Sequence, residues 1–140
     1  MKTWSVTLMI ALVLILALVL ATPAFAAGTQ GQTANVPKYD PTKEAKYKGV
    51  VEEVKNHQCP VSGGMGAHLM LKLADGKVVE VHLATTKFIE DYEVAFSKGD
   101  EIEVLGVMVK FEDADALFAR EIKKGNDTFV FRDKEGKPVW

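Results

Sequence analysis

Two neighbouring stretches of alternating apolar and polar residues most constrain the fold of this chain. They occupy residues 67–74 and 78–84, and "DGK" lies between them. A period of two places successive side chains on opposite faces of a strand, and a glycine in a short connection supplies the positive φ of a hairpin turn. The apolar positions are Leu69, Leu71 and Leu73 in the first stretch and Val79, Val81 and Leu83 in the second. The pattern predicts an antiparallel hairpin with one buried face.

Segments of the same kind recur on both sides of this hairpin, with one helical interruption. Further strands are predicted at 47–56, 101–111 and 116–124, and a terminal hairpin at 128–140. Three strands, a helix and two strands follow one another in the order of an OB barrel, and a sheet this small exposes its edges unless it closes. We predict an all-β fold with one helix, namely a five-stranded antiparallel OB-like barrel plus a C-terminal hairpin. A small open sandwich and an SH3-like barrel account less well for the helix.

The helix is predicted at 85–96, where apolar residues fall at helical spacing. Thr85 or Thr86 is available as the N-cap, and Gly99 follows as a terminating residue. The apolar face, which we expect to close the open end of the barrel, consists of Phe88, Ile89, Tyr92 and Phe96. Gly49 and Gly106 lie inside predicted strands and indicate a bend and a bulge, respectively.

The N-terminal residues predict an exported protein. Lys2 precedes an uncharged apolar run over residues 6–21, and Ala24 and Ala26 match the pattern that signal peptidase reads. We therefore expect a signal peptide at 1–26. The alternative is an uncleaved membrane anchor, because an apolar run near this length could almost span a bilayer.

Cleavage after Ala26 leaves 114 residues, the size of one small domain. Residues 27–45 lack apolar periodicity and predict a flexible leader, and residues 46–140 are expected to form the OB-like domain. Loss of Lys2 leaves 16 basic and 19 acidic residues, a net charge of −3. We expect the mature protein in the periplasm, or secreted, with no membrane span after signal cleavage.

OB barrels usually bind ligands on the outer face of strands two and three and at the loops joining strands one–two and four–five. The face opposite the leucine and valine positions carries Val78 and five candidate ligand-binding residues. These five are His68, Met70, Lys72, Glu80 and His82. The loop predicted at 57–66 holds His57, Cys59 and Met65, and the loop at 112–115 is acidic.

The same region contains the residue types of a soft-metal site. Cys59, His68 and His82 supply a thiolate and two imidazoles, and Met70 supplies a thioether, a set that suits copper(I) or haem iron. The chain has no CxxC, CxxCH or HxxxH motif. The alternative, which the sequence alone favours, is solvated histidines with no cofactor. Cys59 is the only cysteine, so it cannot form an internal disulfide and instead pairs with another chain, binds metal, is oxidised or is buried.

Nucleic-acid binding and catalysis have less support. Single-strand binders on OB folds combine a basic groove with aromatic platforms, and the predicted outer face has no Phe, Tyr or Trp. No spacing provides a nucleophile with an oriented base, so we expect a non-enzyme. The C-terminal "RDKEGKPVW" is expected to be structural, with a docking tail for a partner as the alternative.

Three short motifs carry a resemblance to a known family. They are "GAHL" (66–69), "VEVHL" (79–83) and "RDKEGKPVW" (132–140). Over about residues 46–140 the chain resembles a small exported bacterial OB-fold family, and it is similar to the domain found in some magnetosome-associated proteins. The resemblance implies an OB fold and an envelope location, and its motifs carry no established chemistry.

The expected function is an exported periplasmic OB-fold binding or accessory module, whose partner is an envelope protein or a small ligand. The alternatives are a periplasmic copper- or haem-related metal-binding protein and an oligonucleotide-binding OB domain.

Overall fold

The computed structural model describes residues 35–140. The predicted signal peptide and the first part of the leader lie outside the described residues. The elements are a 3₁₀ turn at Pro41–Lys43, strands β1 (Ala45–Cys59), β2 (Gly64–Leu73) and β3 (Val78–Thr85), helix α1 (Thr86–Asp91), and strands β4 (Glu101–Phe111), β5 (Ala114–Lys124) and β6 (Asp127–Val130).

The strands form a closed ring with the connectivity of an OB barrel. Neighbours in the sheet run β3-β2-β1-β4-β5-β6, and β3 also pairs with β5 in parallel. The ring closes through only three residue pairs, from Glu80–Ala116 to His82–Phe118, and β6 takes the remaining edge of β5. The predicted OB-like barrel is confirmed, and the open sandwich is wrong because β3, the first strand of the sheet, also pairs with β5.

Strand β1 bends so that it belongs to both halves of the ring. Its first part pairs with β4, its later part pairs with β2, and a bulge lies between Val51 and Glu53. The bulge predicted at Gly106 is present in the β4–β5 pair. A Cβ at Gly106 would lie 2.2 Å from the carbonyl oxygen of Phe118, so the two strands approach closely only because the residue is glycine.

The predicted apolar face of the hairpin fills the barrel. Leu69, Leu71, Val79, Val81 and Leu83 are each at most 3% exposed, and Leu73 packs against them from a half-buried position. Burial of these side chains is the main stabilising contribution to a domain that contains no disulfide.

Helix α1 is shorter than predicted and ends at Asp91. Thr85 caps it as expected, because its hydroxyl accepts a hydrogen bond from the backbone N–H of Phe88 at 3.2 Å. The chain leaves the helix through Glu93, whose φ of 51° does not continue a helix. Tyr92 is consequently 69% exposed, so the prediction that it fills the barrel end is wrong.

The predicted loop at 57–66 is mostly strand. Pairing between β1 and β2 continues through His57–Gly66 to Cys59–Gly64, and only residues 60–63 connect the two strands. The glycine-rich composition favoured a loop, but glycines in a strand still donate and accept the ladder hydrogen bonds. Among residues 35–140, no helix has the length and apolar character needed to cross a membrane.

Two substitutions test which aromatic residues close the barrel. Phe131 is fully buried, and its ring centroid lies 6.3 Å from that of Phe88. Phe131→Ala should therefore lower the free energy of unfolding by about 3–5 kcal/mol. Tyr92→Ala should change it by no more than about 0.5 kcal/mol because that side chain is exposed. Urea denaturation followed by circular dichroism measures both. Equal losses for the two variants would contradict this packing.

Candidate functional site

The outer face of β2 and β3 is covered by a second apolar cluster. Its buried members are Phe111, Ala116 and Phe118, and its half-buried members are Val36, Tyr39, Val61 and Val109. His68 and His82 are 1% and 5% exposed, so the expectation that they are solvated is wrong. As predicted, both histidines lie on the outer face of the sheet, since neither belongs to the barrel interior. Segments that are distant in sequence cover this outer face.

The β2–β3 register places His68 directly opposite His82. Their rings meet edge to face with centroids 4.6 Å apart. The ring centroids of Phe111 and Phe118 lie 5.6 and 5.1 Å, respectively, from the ring centroid of His82. The pair therefore lies between the sheet and aromatic side chains.

Strand β1 brings Cys59 to this pair. The Cys59 thiol is 3% exposed, and its Sγ lies 3.4 Å from Nδ1 of His82. The turn after Cys59 is fixed by hydrogen bonds to the Cys59 carbonyl from the N–H of Gly63 at 3.0 Å and from the hydroxyl of Ser62 at 3.2 Å. The only cysteine of the chain thus meets two of its three histidines at one buried point.

Gly66 leaves the space that this arrangement occupies. A Cβ at this position would lie 2.7 Å from Oγ of Ser62, 2.8 Å from Cε1 of His68 and 3.1 Å from Cβ of Cys59. A side chain there would push the turn away from the histidines. The last glycine of "GGMG" therefore has a packing role beside the site.

The third histidine lies at the solvent side of the same cluster. The ring of His57 stacks on His68 with centroids 3.9 Å apart and planes 6° from parallel. Its Nε2 donates to Oε1 of Glu80 at 2.7 Å, and its Nδ1 lies 3.0 Å from the carbonyl oxygen of Gln58. Both partners accept hydrogen bonds, so the two contacts suit an imidazolium.

The pKa values of the two buried histidines are lowered, and that of the half-exposed His57 is raised. Burial lowers the pKa of His82 to about 4, with a further contribution from His68. Burial and the charge on His57 lower the pKa of His68 to about 4. The carbonyl of Gln58 and the carboxylate of Glu80 instead raise the pKa of His57. At neutral pH the two buried imidazoles are therefore uncharged.

The buried groups enclose a small cavity. It has a volume of about 10 Å³, and its lining includes Cys59, His68, His82 and Trp140. One ligand atom from each of the first three residues lies within 4.8 Å of the other two. Nδ1 of His68 is buried and has no hydrogen-bond partner among the described residues. A buried polar atom without a partner is costly, so this nitrogen is suited to bind an ion or a water molecule.

Other predicted site residues lie outside this cluster. Met70 is half-buried and Lys72 is exposed, farther along β2, where Met70 pairs with Glu80 and Lys72 with Val78. A larger open cavity of about 460 Å³ lies elsewhere, lined by residues such as Lys48 and Ile102. Its lining contains no cysteine, histidine or methionine, unlike that of the smaller cavity.

Two participants were missed by the sequence interpretation. The sequence predicts a loop at His57, but β1 continues to Cys59. In a strand, residues two apart lie on the same face, so this spacing could have indicated that His57 and Cys59 lie together. Trp140 belongs to the C-terminal segment that the sequence predicts to be structural, and it also lines the cavity, with its ring centroid 5.0 Å from Cζ of the buried Arg132. No local pattern in the sequence indicates that second contact.

The pKa shifts predict a pH-dependent stability of the metal-free protein. Because His68 and His82 have a pKa of about 4 when folded and an ordinary value near 6.5 when unfolded, the unfolded chain binds more protons between these values. Their contribution to the free energy of unfolding should be complete above about pH 6.5 and should be lost as pH falls toward 4. His57 acts in the opposite direction because its pKa is raised.

Histidine NMR titration of chelator-treated protein measures the three values separately, and urea denaturation at several pH values measures the stability. Titration of all three histidines near pH 6.5 would contradict the burial of His68 and His82.

Comparison with known proteins identifies the family. A family model described as the MamS/MamX magnetosome protein family matches residues 43–129, a span that includes His57, Cys59, His68 and His82. No curated protein matches the chain. The matched span covers 87 of the 140 residues, more than half of the sequence. The chain belongs to the MamS/MamX magnetosome protein family.

Proposed function

We propose that this protein is an exported accessory module of the cell envelope that holds one copper ion between Cys59, His68 and His82. The observation that carries the proposal is the convergence of a thiol and two neutral imidazoles around one buried, ion-sized cavity. The family match supports a place among magnetosome proteins and does not itself indicate a metal.

The separation of the Cys59 sulfur from a His82 nitrogen suits a shared ion. With a metal–sulfur bond of about 2.3 Å and a metal–nitrogen bond of about 2.0 Å, two ligands at a trigonal angle lie about 3.7 Å apart. Sγ of Cys59 and Nδ1 of His82 are separated by 3.4 Å. One ring nitrogen of His68 lies within 4.8 Å of a ligand atom of each of the other two residues.

The ligand set favours copper over zinc and haem. A thiolate with two imidazoles in a three-ligand site is typical of copper, whereas structural zinc sites in proteins are almost always closed by four ligands. The small cavity suits a bare ion and has no room for a porphyrin. The low pKa values of His68 and His82 leave both imidazoles neutral at neutral pH, each with one unprotonated nitrogen. Binding of copper(I) then releases only the thiol proton of Cys59 to solvent.

Binding is favoured over catalysis and over nucleic-acid recognition. The thiol and both histidines are buried around a cavity that could not admit an organic substrate. The adjoining groove is lined by the carboxyl group of Glu112, which would repel a phosphate backbone. Phe111 and Phe118 beside His82 are buried and present no stacking platform.

Competition with a chromophoric copper(I) chelator tests the metal site. The wild-type chain should bind one equivalent of copper(I). Cys59→Ser and His82→Ala should each lower the affinity by more than about 100-fold, because loss of a ligand exceeds the effect of losing an outer-shell partner. Met108→Leu is the matched control, since Met108 lies on β4, packs against the barrel interior and lines neither this cavity nor the adjoining groove, and it should bind as the wild type does.

Wild-type affinity in the Cys59→Ser variant, or less than stoichiometric copper in the wild type, would contradict the site. Stoichiometric zinc without affinity for copper(I) would contradict the choice of metal.

Export is tested by the N-terminus of the protein recovered from cells. The proposal rests on Lys2, the apolar run at 6–21 and the small residues before Ala27. Mass spectrometry of the envelope fraction should find a chain that begins at Ala27. An intact N-terminus in the membrane fraction would instead indicate the uncleaved anchor, and an intact chain in the cytoplasm would contradict export.

A further inference from the structure

The proposed copper ligands are shielded from solvent, so an ion needs a route to reach them. The exposed fractions of Cys59, His68 and His82 are 3%, 1% and 5%. Whichever groups lie between these residues and the solvent control how fast the site fills and empties.

His57 and Glu80 occupy that boundary. The side chains of His57 and Glu80 are 44% and 31% exposed, and the ring of His57 covers His68 at 3.9 Å. A ligand atom from each of His57, His68 and Glu80 lies within 4.8 Å of the other two. His68 therefore belongs both to this outer group and to the buried group with Cys59 and His82. A neutral imidazole offers a lone pair at one ring nitrogen and carries a proton on the other, so His68 can bind an ion in either group, one ion at a time.

The groove beside Glu80 adds negative charge. It has a volume of about 210 Å³, and Glu80, Glu112, Asp115 and His82 are among its lining residues. The carboxylate of Asp115 is already paired with Lys77 and Lys110, and that of Glu80 with His57, so we assign the attraction for cations to Glu112. Carboxylates that line a cleft focus the electrostatic field and raise the local concentration of cations.

We propose that His57, Glu80 and the shared His68 form an outer cation site through which copper(I) enters and leaves the buried site. This inference rests on the copper site proposed above. The incoming ion replaces the proton between Nε2 of His57 and Oε1 of Glu80. It then moves inward as His57 and Glu80 release it and Cys59 and His82 bind it. His68 binds the ion through its unprotonated nitrogen at each stage and holds its one ring proton on the other nitrogen.

The ion remains copper(I) throughout, so no oxidant or reductant takes part. The proton displaced at His57 returns when the ion has moved inward. The thiol of Cys59 loses one proton to solvent on loading and regains it on release.

A group that acts only on the route changes the rates of entry and exit by the same factor, because both directions cross the same barrier. It leaves the equilibrium affinity unchanged. A group that only positions His68 changes the affinity and leaves the entry rate unchanged. The two roles are therefore separated by measuring both rates and the affinity.

The experiment follows transfer of copper(I) from a chromophoric chelator to the chelator-treated full chain by stopped flow, and its return to excess chelator. The variants are His57→Ala and Glu80→Gln, which keeps the size of the side chain and remains informative if loss of the stacked ring disturbs the strand. The control is Glu90→Gln, because Glu90 is an exposed carboxylate on α1 outside the groove lining.

Both rates should fall about tenfold in each groove variant, with unchanged affinity, and Glu90→Gln should match the wild type. Wild-type rates in both groove variants would overturn the inference. A higher exit rate of copper(I) from His57→Ala with an unchanged entry rate would show that His57 only positions His68. Faster entry and exit in this variant would show that His57 only blocks access to the buried site. Either result overturns the inference. Absence of copper binding in the wild-type chain would instead contradict the proposed function.

Discussion

The direct pairing of His68 with His82 across β2 and β3 determines the chemistry of this domain. Two imidazoles on one face of a sheet are ordinary when water solvates them. Here the aromatic rings of Phe111 and Phe118 pack over the pair, and burial lowers both pKa values. The cost of burying these polar groups is offset only where their nitrogens find partners, and Nδ1 of His68 has none among the described residues. An ion shared with the neighbouring thiol would supply that partner.

The OB-like ring makes this arrangement possible because its sheet has apolar residues on both faces. The barrel interior holds the leucines and valines of β2 and β3, and the second cluster lies on the outer side of the same strands. Residues near the N-terminal end of the described chain, the β1–β2 turn and Trp140 all contribute to the cover. The site thus depends on segments that are distant in sequence, while its ligands come from three consecutive strands.

Much of the fold was predictable because each signal is local. The predicted bounds of β4 at 101–111 agree with the structure, since turn residues flank a segment rich in apolar residues. The bulge at Gly106 follows from a glycine inside that strand. The proximity of His68 and His82 follows from alternation and hairpin register. Their burial was not predictable, because no local pattern indicates that Val36 or Trp140 packs nearby. The prediction of a loop at Cys59 is wrong because the glycines after it are typical of loops, whereas the β1–β2 pairing continues to Cys59.

X-ray absorption spectroscopy of the copper(I)-loaded chain measures directly which atoms bind the ion. The expected ligands are one sulfur at about 2.3 Å and two imidazole nitrogens at about 2.0 Å, distances like those of the corresponding zinc bonds. The sulfur contribution should disappear when Cys59 is replaced by serine. A wild-type first shell without sulfur, or with a single imidazole, would contradict the assignment of Cys59, His68 and His82 as the three ligands.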